Sequence, residues 1–144
     1  MKFIITGFIA LVFCSLTTAQ KILGSQLPKA VTATFIQKFP DVRRETWRKQ
    51  GVAEYKANFI LNDAKTSTLI NEQGEVLKTE TKIKISALPE QVTSGIKAKY
   101  PTAKFIAASK IHTAKDSVRY KADIKTGKKN FDVLFSENGE FIKS

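Results

Sequence analysis

The chain has 144 residues, of which 42% are hydrophobic and 26% charged, and its formal net charge is +11. These values are typical of a globular protein and exclude a disordered chain, and the length suits one domain or two very small ones. The one cysteine, Cys14, lies near the amino terminus. The rest of the chain therefore cannot form a disulfide, and its core depends on packing alone.

Residues 1–19 have the pattern of a secretory signal peptide. Lys2 is followed by an almost unbroken apolar run to Leu16, and small residues ending at Ala19 precede a cleavage site before Gln20. A membrane helix needs about 20 apolar residues, so this shorter run with a cleavable end favours a signal peptide.

A lipid anchor on Cys14 is the competing interpretation of this segment. The bulky Phe13 directly before the cysteine does not suit the small residue that a lipobox requires. We therefore expect a periplasmic or secreted protein, residues 20–144, that keeps no transmembrane segment after signal cleavage.

The stretch LPKAVTATFIQKFP at 27–40 predicts an amphipathic helix. Pro28 suits a first helical turn, where its missing N–H needs no partner, and Pro40 ends the helix. The apolar residues recur every four positions and share one face. They are Leu27, Val31, Phe35 and Phe39.

After this helix the apolar period changes from four to two, which predicts half-buried antiparallel strands. Tyr55, Ala57 and Phe59 share one side of a strand, and Lys56 and Asn58 share the other. Glycines between extended runs mark tight hairpins. The predicted strands lie near 42–49, 52–61, 65–71 and 75–85.

The second half of the chain repeats these phrases in the same order. LPEQVTSGIKAKYP at 88–101 matches the first helix, YKADI at 120–124 matches YKANF, and SENGEFI at 136–142 matches NEQGEVL. Three recurring blocks predict a duplicated unit of roughly 60 residues. The strands of the second copy are predicted near 103–112, 117–125, 129–136 and 140–143.

The predicted fold class is α+β, a tandem repeat of a helix followed by a four-stranded antiparallel meander, with the helices packed on one face of the sheet. The domain prediction is a signal peptide at 1–19, a first unit at 20–86 and a second at 87–144, the two units forming one compact body. The sequence leaves open whether the two sheets are continuous.

The matched phrases resemble the PepSY-like, β-lactamase-inhibitor-like family of exported bacterial proteins of the Bacteroidetes type. The resemblance rests on Leu-Pro-x-x-Val, the aromatic-Pro helix end, Trp47, Tyr-x-Ala-x-aromatic and the x-Gly hairpin, and it spans 27–142. It implies helix-plus-four-strand units with an open sheet face, which in the inhibitors that name the family binds a target enzyme. The chain departs from those inhibitors in lacking disulfides, and Ala108 stands at the position that matches Trp47.

No pattern in the sequence indicates catalysis, a cofactor or a metal site. His112, the only histidine, precedes a polar turn. A solvated histidine is a simpler interpretation there than a zinc ligand or a member of a catalytic triad. No Gly-x-Ser-x-Gly elbow and no glycine-rich phosphate loop occurs. We therefore expect a protein that is not an enzyme.

The polar sheet face is rich in lysine, and this pattern supports two interpretations. It is either a solvated face kept soluble by charge, or a basic surface that attracts an acidic protein. The predicted function is an exported binding or inhibitory module that presents this face to a protein partner. The alternative is an envelope structural or scavenging protein that binds a polyanion or small ligand. Nucleic acid is not expected as a partner, and the sequence leaves the oligomeric state and the partner's identity open.

Trp47 is the residue whose side is hardest to assign. If Val42 faces the core, strict alternation places Trp47 on the open face, where a tryptophan suits a binding hot spot. A bulge would instead turn it toward the core rim. The predicted binding residues are Trp47, Lys56, Asn58, Lys121 and Asp123.

Overall fold

The computed structural model describes residues 20–143. The predicted signal peptide and the competing lipid anchor at Cys14 lie outside the described residues. Within them the chain forms two α-helices, α1 (Lys29–Lys38) and α2 (Glu90–Lys99), and nine strands. The strands are β1 (Gln20–Ile22), β2 (Glu45–Gln50), β3 (Glu54–Leu61), β4 (Ala64–Asn71), β5 (Val76–Ile83), β6 (Lys104–Thr113), β7 (Val118–Thr126), β8 (Lys129–Ser136) and β9 (Phe141–Lys143).

The strands form one antiparallel sheet in which their spatial order is their order in the chain. Each strand therefore pairs with the next, and the ladder continues from β5 to β6 across the segment that contains α2. Three irregularities interrupt the register among the described strands, one between β4 and β5, one between β6 and β7 and one between β8 and β9.

The predicted fold class, a tandem repeat of a helix and a four-stranded meander, is wrong. The described chain has a single nine-stranded antiparallel sheet with two helices, and β1 is a strand that the prediction lacked. The physical reason is the cost of strand edges, which expose unpaired N–H and C=O groups. Pairing β5 with β6 satisfies these groups in the middle of the sheet. The division at residues 86 and 87 stays a prediction.

Both helices lie where the proline-bounded patterns predicted them. Each begins directly after its proline, Pro28 or Pro89, and each ends one residue before an aromatic that precedes the next proline. At the end of α1 the Phe39 N–H donates to the Phe35 carbonyl over 2.9 Å, which closes the last turn.

The two helices pack on the same face of the sheet, which we call the helix-covered face. Val31 and Phe35 of α1 pack over Ala57, and Val92 and Ile96 of α2 pack in a second cluster with Val118 at its margin. Directly paired residues of antiparallel strands share a face. A row of such pairs joins the two clusters, running through Ala57, Thr68, Thr79, His112 and Val118.

Two hairpin glycines hold the helices against the sheet. Gly74, at φ 86°, lies under α1, where the Thr34 hydroxyl donates to its carbonyl over 2.7 Å. Gly139, at φ 83°, lies against the backbone of Gln91 and next to Gly95 of α2. Because both helices occupy one side, the other side of the sheet stays uncovered.

Candidate binding surface on the open sheet face

The uncovered side of the sheet, which we call the open face, is built by the residues that alternate with the core residues along each strand. Pleating sends successive side chains to opposite faces, so each buried residue is followed by one that points away from the helices. On β3, β5 and β7 the open-face residues include Lys56, Asn58, Ile60, Lys78, Glu80, Lys82, Arg119, Lys121 and Asp123.

A hollow of about 510 Å³ lies on the open face, and we call it the basic hollow. Asn58, Ser67 and Ile60 form part of its lining between the charged groups. Its lining includes five cationic side chains and one carboxylate. They are Arg44, Lys56, Lys65, Lys82, Lys121 and Glu80.

A second hollow, of about 470 Å³, lies beside the first and shares Glu80 and Lys121 with it. Its charges are more balanced, because Asp132 joins Glu80 against the cations. The cationic residues of this second hollow are Lys78, Arg119, Lys121 and Lys143. Of these two hollows, the basic hollow has the greater excess of positive charge.

The ridge between the hollows is an ion pair that joins β5 to β7 across β6. The Lys121 ammonium lies 2.5 Å from a carboxylate oxygen of Glu80, and the two side chains are only 25% and 16% exposed. Lys82 makes a looser pair with Asp123 at 3.5 Å. Small open-face residues on β6, Ala107 and Ser109, leave room for these longer side chains to meet over the intervening strand.

Lys121 lowers the pKa of Glu80. Desolvation by burial raises the pKa, but the hydrogen bond and charge of Lys121, helped by Ser109 and Lys56, bring it below its usual 4.5. Ser109 is fully buried, and within residues 20–143 its hydroxyl has no hydrogen-bond partner. It therefore acts on Glu80 as a nearby dipole and not through a formed hydrogen bond.

The structure brings four of the five predicted binding residues to the open face. Lys56, Asn58 and Lys121 line the basic hollow, and Asp123 pairs with Lys82 at its margin. Their role in binding stays a prediction.

Trp47 is not on the open face. It is 4% exposed in the cluster under α1, with its ring 5.0 Å from that of Phe35 in an edge-to-face arrangement. The alternation counted from Val42 failed because β2 begins only at Glu45, so Val42 lies before the strand and does not set its phase. The pairing of Trp47 with Ala57 places it on the helix-covered face.

Sequence reasoning missed Glu80 as a site residue, and with it Arg44 and Lys65. Glu80 carried a signal, because it is the one acid on the polar side of a strand that otherwise bears Lys78 and Lys82 there. Its partner was not predictable from that strand alone, because Lys121 reaches it only through the register of β5, β6 and β7.

His112 lies within β6, exposed on the helix-covered face beside a hollow of about 500 Å³ next to α1. Residues 20–143 contain no group of three or more His, Cys, Asp or Glu side chains arranged to hold a metal ion. Among these same residues neither helix has the length and apolar character needed to cross a bilayer.

The chain belongs to the PepSY-like family described as "Putative beta-lactamase-inhibitor-like, PepSY-like", which it matches over residues 53–143. This confirms the family that the sequence motifs resembled. No curated protein matches the chain.

Solved structures with the same fold come from Bacteroides species. A "putative periplasmic" protein of Bacteroides eggerthii has a TM-score of 0.73 at 16% identity, over 81% of this chain and 86% of its own. A DUF2874 family protein of Bacteroides uniformis has the same TM-score and coverage at 18% identity. A "BLIP-like" protein of Bacteroides fragilis has a TM-score of 0.68 at 19% identity, over 81% of this chain and 83% of its own.

Proposed function

We propose that the protein is an exported, non-enzymatic binding module that presents its open face to an acidic protein partner. The observation that carries this proposal is the basic hollow, where five cationic side chains surround one carboxylate on a face that neither helix covers. A surface with one dominant sign of charge attracts and orients a partner of the opposite sign.

The comparisons support the proposal at the level of the class of protein. The family description names an inhibitor-like fold, and inhibitors act by binding a protein surface and not by turning over a substrate. Export is supported by the signal-peptide pattern at 1–19 and by the description of the Bacteroides eggerthii protein as periplasmic.

A capture experiment tests this function. The mature chain, residues 20–144, is immobilised and exposed to an envelope extract of the bacterium that produces it, at low and at moderate salt. We expect one stoichiometric acidic protein that moderate salt releases, because screening weakens attraction between exposed charges.

The control for this experiment is a pair of charge-reversal variants. Lys121 is avoided, because its replacement would also leave the half-buried Glu80 unpaired. The "hollow variant" carries Lys56→Glu and Lys65→Glu, and the "helix variant" carries Lys29→Glu and Lys97→Glu on exposed positions of the two helices. Both have the same net charge, so capture by the hollow variant at the wild-type level would refute the proposed surface.

A second candidate function is scavenging of a small ligand or polyanion in the envelope. The volume of the basic hollow, about 510 Å³, lies in the range of small-molecule sites. This function predicts that the same experiment captures heterogeneous acidic material and no single stoichiometric protein.

A further inference from the structure

The cations of the basic hollow differ in whether the protein itself neutralises them. Lys121 and Lys82 each have a carboxylate partner, in Glu80 and Asp123. In the described part of the chain, no acidic side chain forms a salt bridge with Arg44, Lys56 or Lys65. These three are therefore available to an incoming anion, and Lys56 in addition interacts with Glu80 beyond salt-bridge distance.

The unpaired cations are spread over more than one small anion can cover. Arg44, directly before β2, and Lys65, on β4, lie level with Ile60 of β3, whereas Lys56 lies four residues away along β3. Strand residues rise about 3.3 Å each, so Lys56 is separated from the level of Arg44 and Lys65 by roughly 13 Å. A single phosphate or carboxylate group therefore reaches only one or two of these three cations.

An extended peptide is long enough to reach all three unpaired cations. Its residues rise about 3.3 Å each and alternate in direction, so side chains on one side recur about every 7 Å. Three carboxylates at alternate positions of a five-residue segment therefore span about 14 Å. Asn58 and Ser67 lie between the cations, where their polar groups can meet the peptide backbone.

Glu80 sets the position of such a segment. The Glu80 carboxylate forms an ion pair with Lys121, and it repels any further carboxylate that is placed beside this pair. An acidic segment is thus directed away from the β7 side, toward Arg44, Lys56 and Lys65. Ile60, exposed at the margin of the hollow, offers an apolar contact at this end.

We infer that the basic hollow receives an extended acidic segment of the partner, about five residues long, with carboxylates at alternate positions. The inference rests on the proposed function, since it specifies what the partner inserts into the open face. The recognised chemistry is the carboxylate, and its two possible sources are a peptide and a free polycarboxylate.

Two probes of equal charge and different span separate these sources. The first is the end-blocked peptide Glu-Ser-Glu-Ser-Glu, and the second is citrate, whose three carboxylates are much closer together. Each is titrated at low salt into the isotope-labelled mature chain, and dissociation constants are taken from the NMR shifts. We expect the peptide to bind at least tenfold more tightly than citrate, with the largest shifts at Arg44, Lys56 and Lys65.

The two charge-reversal variants locate the site. The hollow variant should bind the peptide at least tenfold more weakly than wild type, whereas the helix variant should stay within about twofold. Citrate binding as tightly as the peptide would overturn the extended segment. Equal weakening of both variants, or no peptide binding, would overturn the site.

These failures are distinguishable from failure of the proposed function. If the peptide does not bind but the envelope partner is still captured by wild type and lost with the hollow variant, the open face remains the binding surface and only its acidic-segment ligand is wrong. If partner capture is unaffected by the hollow variant, the proposed function fails as well.

Discussion

The two faces of the sheet carry opposite kinds of side chain and perform different tasks. The helix-covered face contains fully buried apolar residues such as Ile70, Ile124 and Val133. The open face presents two ion pairs and the unpaired cations Arg44, Lys56 and Lys65 to solvent. Apolar burial stabilises a domain far more than exposed ion pairs do. The helix-covered face can therefore hold the sheet together while the open face keeps charges that stability does not require.

The largest expected difference between the faces comes from two adjacent residues of β8. Phe135 is 1% exposed on the helix-covered face, and Leu134 is partly exposed on the open face. Phe135→Ala should lower the free energy of unfolding by about 3–5 kcal/mol, because it leaves a cavity in the core. Leu134→Ala should cost less than about 1.5 kcal/mol. Urea denaturation measures both, and equal losses would contradict the division between the faces.

The contact between α2 and the β8–β9 hairpin gives the next largest effect. Alanine normally favours a helix over glycine by about 1 kcal/mol. A Cβ at Gly95 would instead collide with the carbonyl of Gly139, so Gly95→Ala should lower the free energy of unfolding by about 1–3 kcal/mol. Gly24→Ala is the control, because open space surrounds that position, and it should be neutral or slightly stabilising. A stabilised Gly95 variant in thermal denaturation would show that the helix is not held this closely.

The Glu80–Lys121 pair should have a smaller effect that depends on pH. Glu80→Gln leaves the partly buried Lys121 without its counter-ion, at a cost of about 1–2 kcal/mol, between the values for exposed and buried pairs.

The pH dependence follows from the lowered pKa of Glu80. This stability is present above the unfolded pKa of 4.5 and is lost as the pH falls through the lower folded value. The difference between wild type and Glu80→Gln should thus be full at pH 7 and shrink below 4.5. Urea curves at several pH values test this, and a difference that is the same at pH 3 would exclude the ion pair as its cause.

The smallest effect on stability is expected where the proposed effect on binding is largest. The hollow variant changes the exposed Lys65 and the partly exposed Lys56, neither of which has a salt bridge within residues 20–143, so its free energy of unfolding should stay within about 1 kcal/mol of wild type. Loss of the attraction between Lys56 and Glu80 favours a slight decrease. A loss above about 1.5 kcal/mol in thermal or urea denaturation would mean that these lysines support the fold.

Local patterns predicted most of the helix-covered face and only part of the open face. The four-residue period and flanking prolines were enough for α1 and α2, and the alternation around Tyr55 and Tyr120 placed the central strands. The joining of β5 to β6 was not predictable, because it depends on backbone groups far apart in the sequence. Counting the alternation from Val42 assigned Trp47 to the wrong face of the sheet, because an alternation pattern does not reveal where a strand begins.

The sequence was enough to predict a charged face at the candidate site, but not which of its charged side chains pair with one another. Lys56 and Lys121 follow from the period of two on their own strands. Glu80 pairs with Lys121, whereas Lys56 and Lys65 have no salt-bridge partner among residues 20–143. This difference depends on the register of five consecutive strands. Small residues on β6, which let side chains cross that strand, gave no recognisable signal in the sequence.

The proposed binding surface is tested most sharply by the affinity of the captured partner for wild type, the hollow variant and the helix variant, measured at one low salt concentration. We expect a dissociation constant at least tenfold higher for the hollow variant and within about twofold of wild type for the helix variant. Equal weakening of the two variants would show that only net charge matters, and no weakening of the hollow variant would show that the partner binds elsewhere.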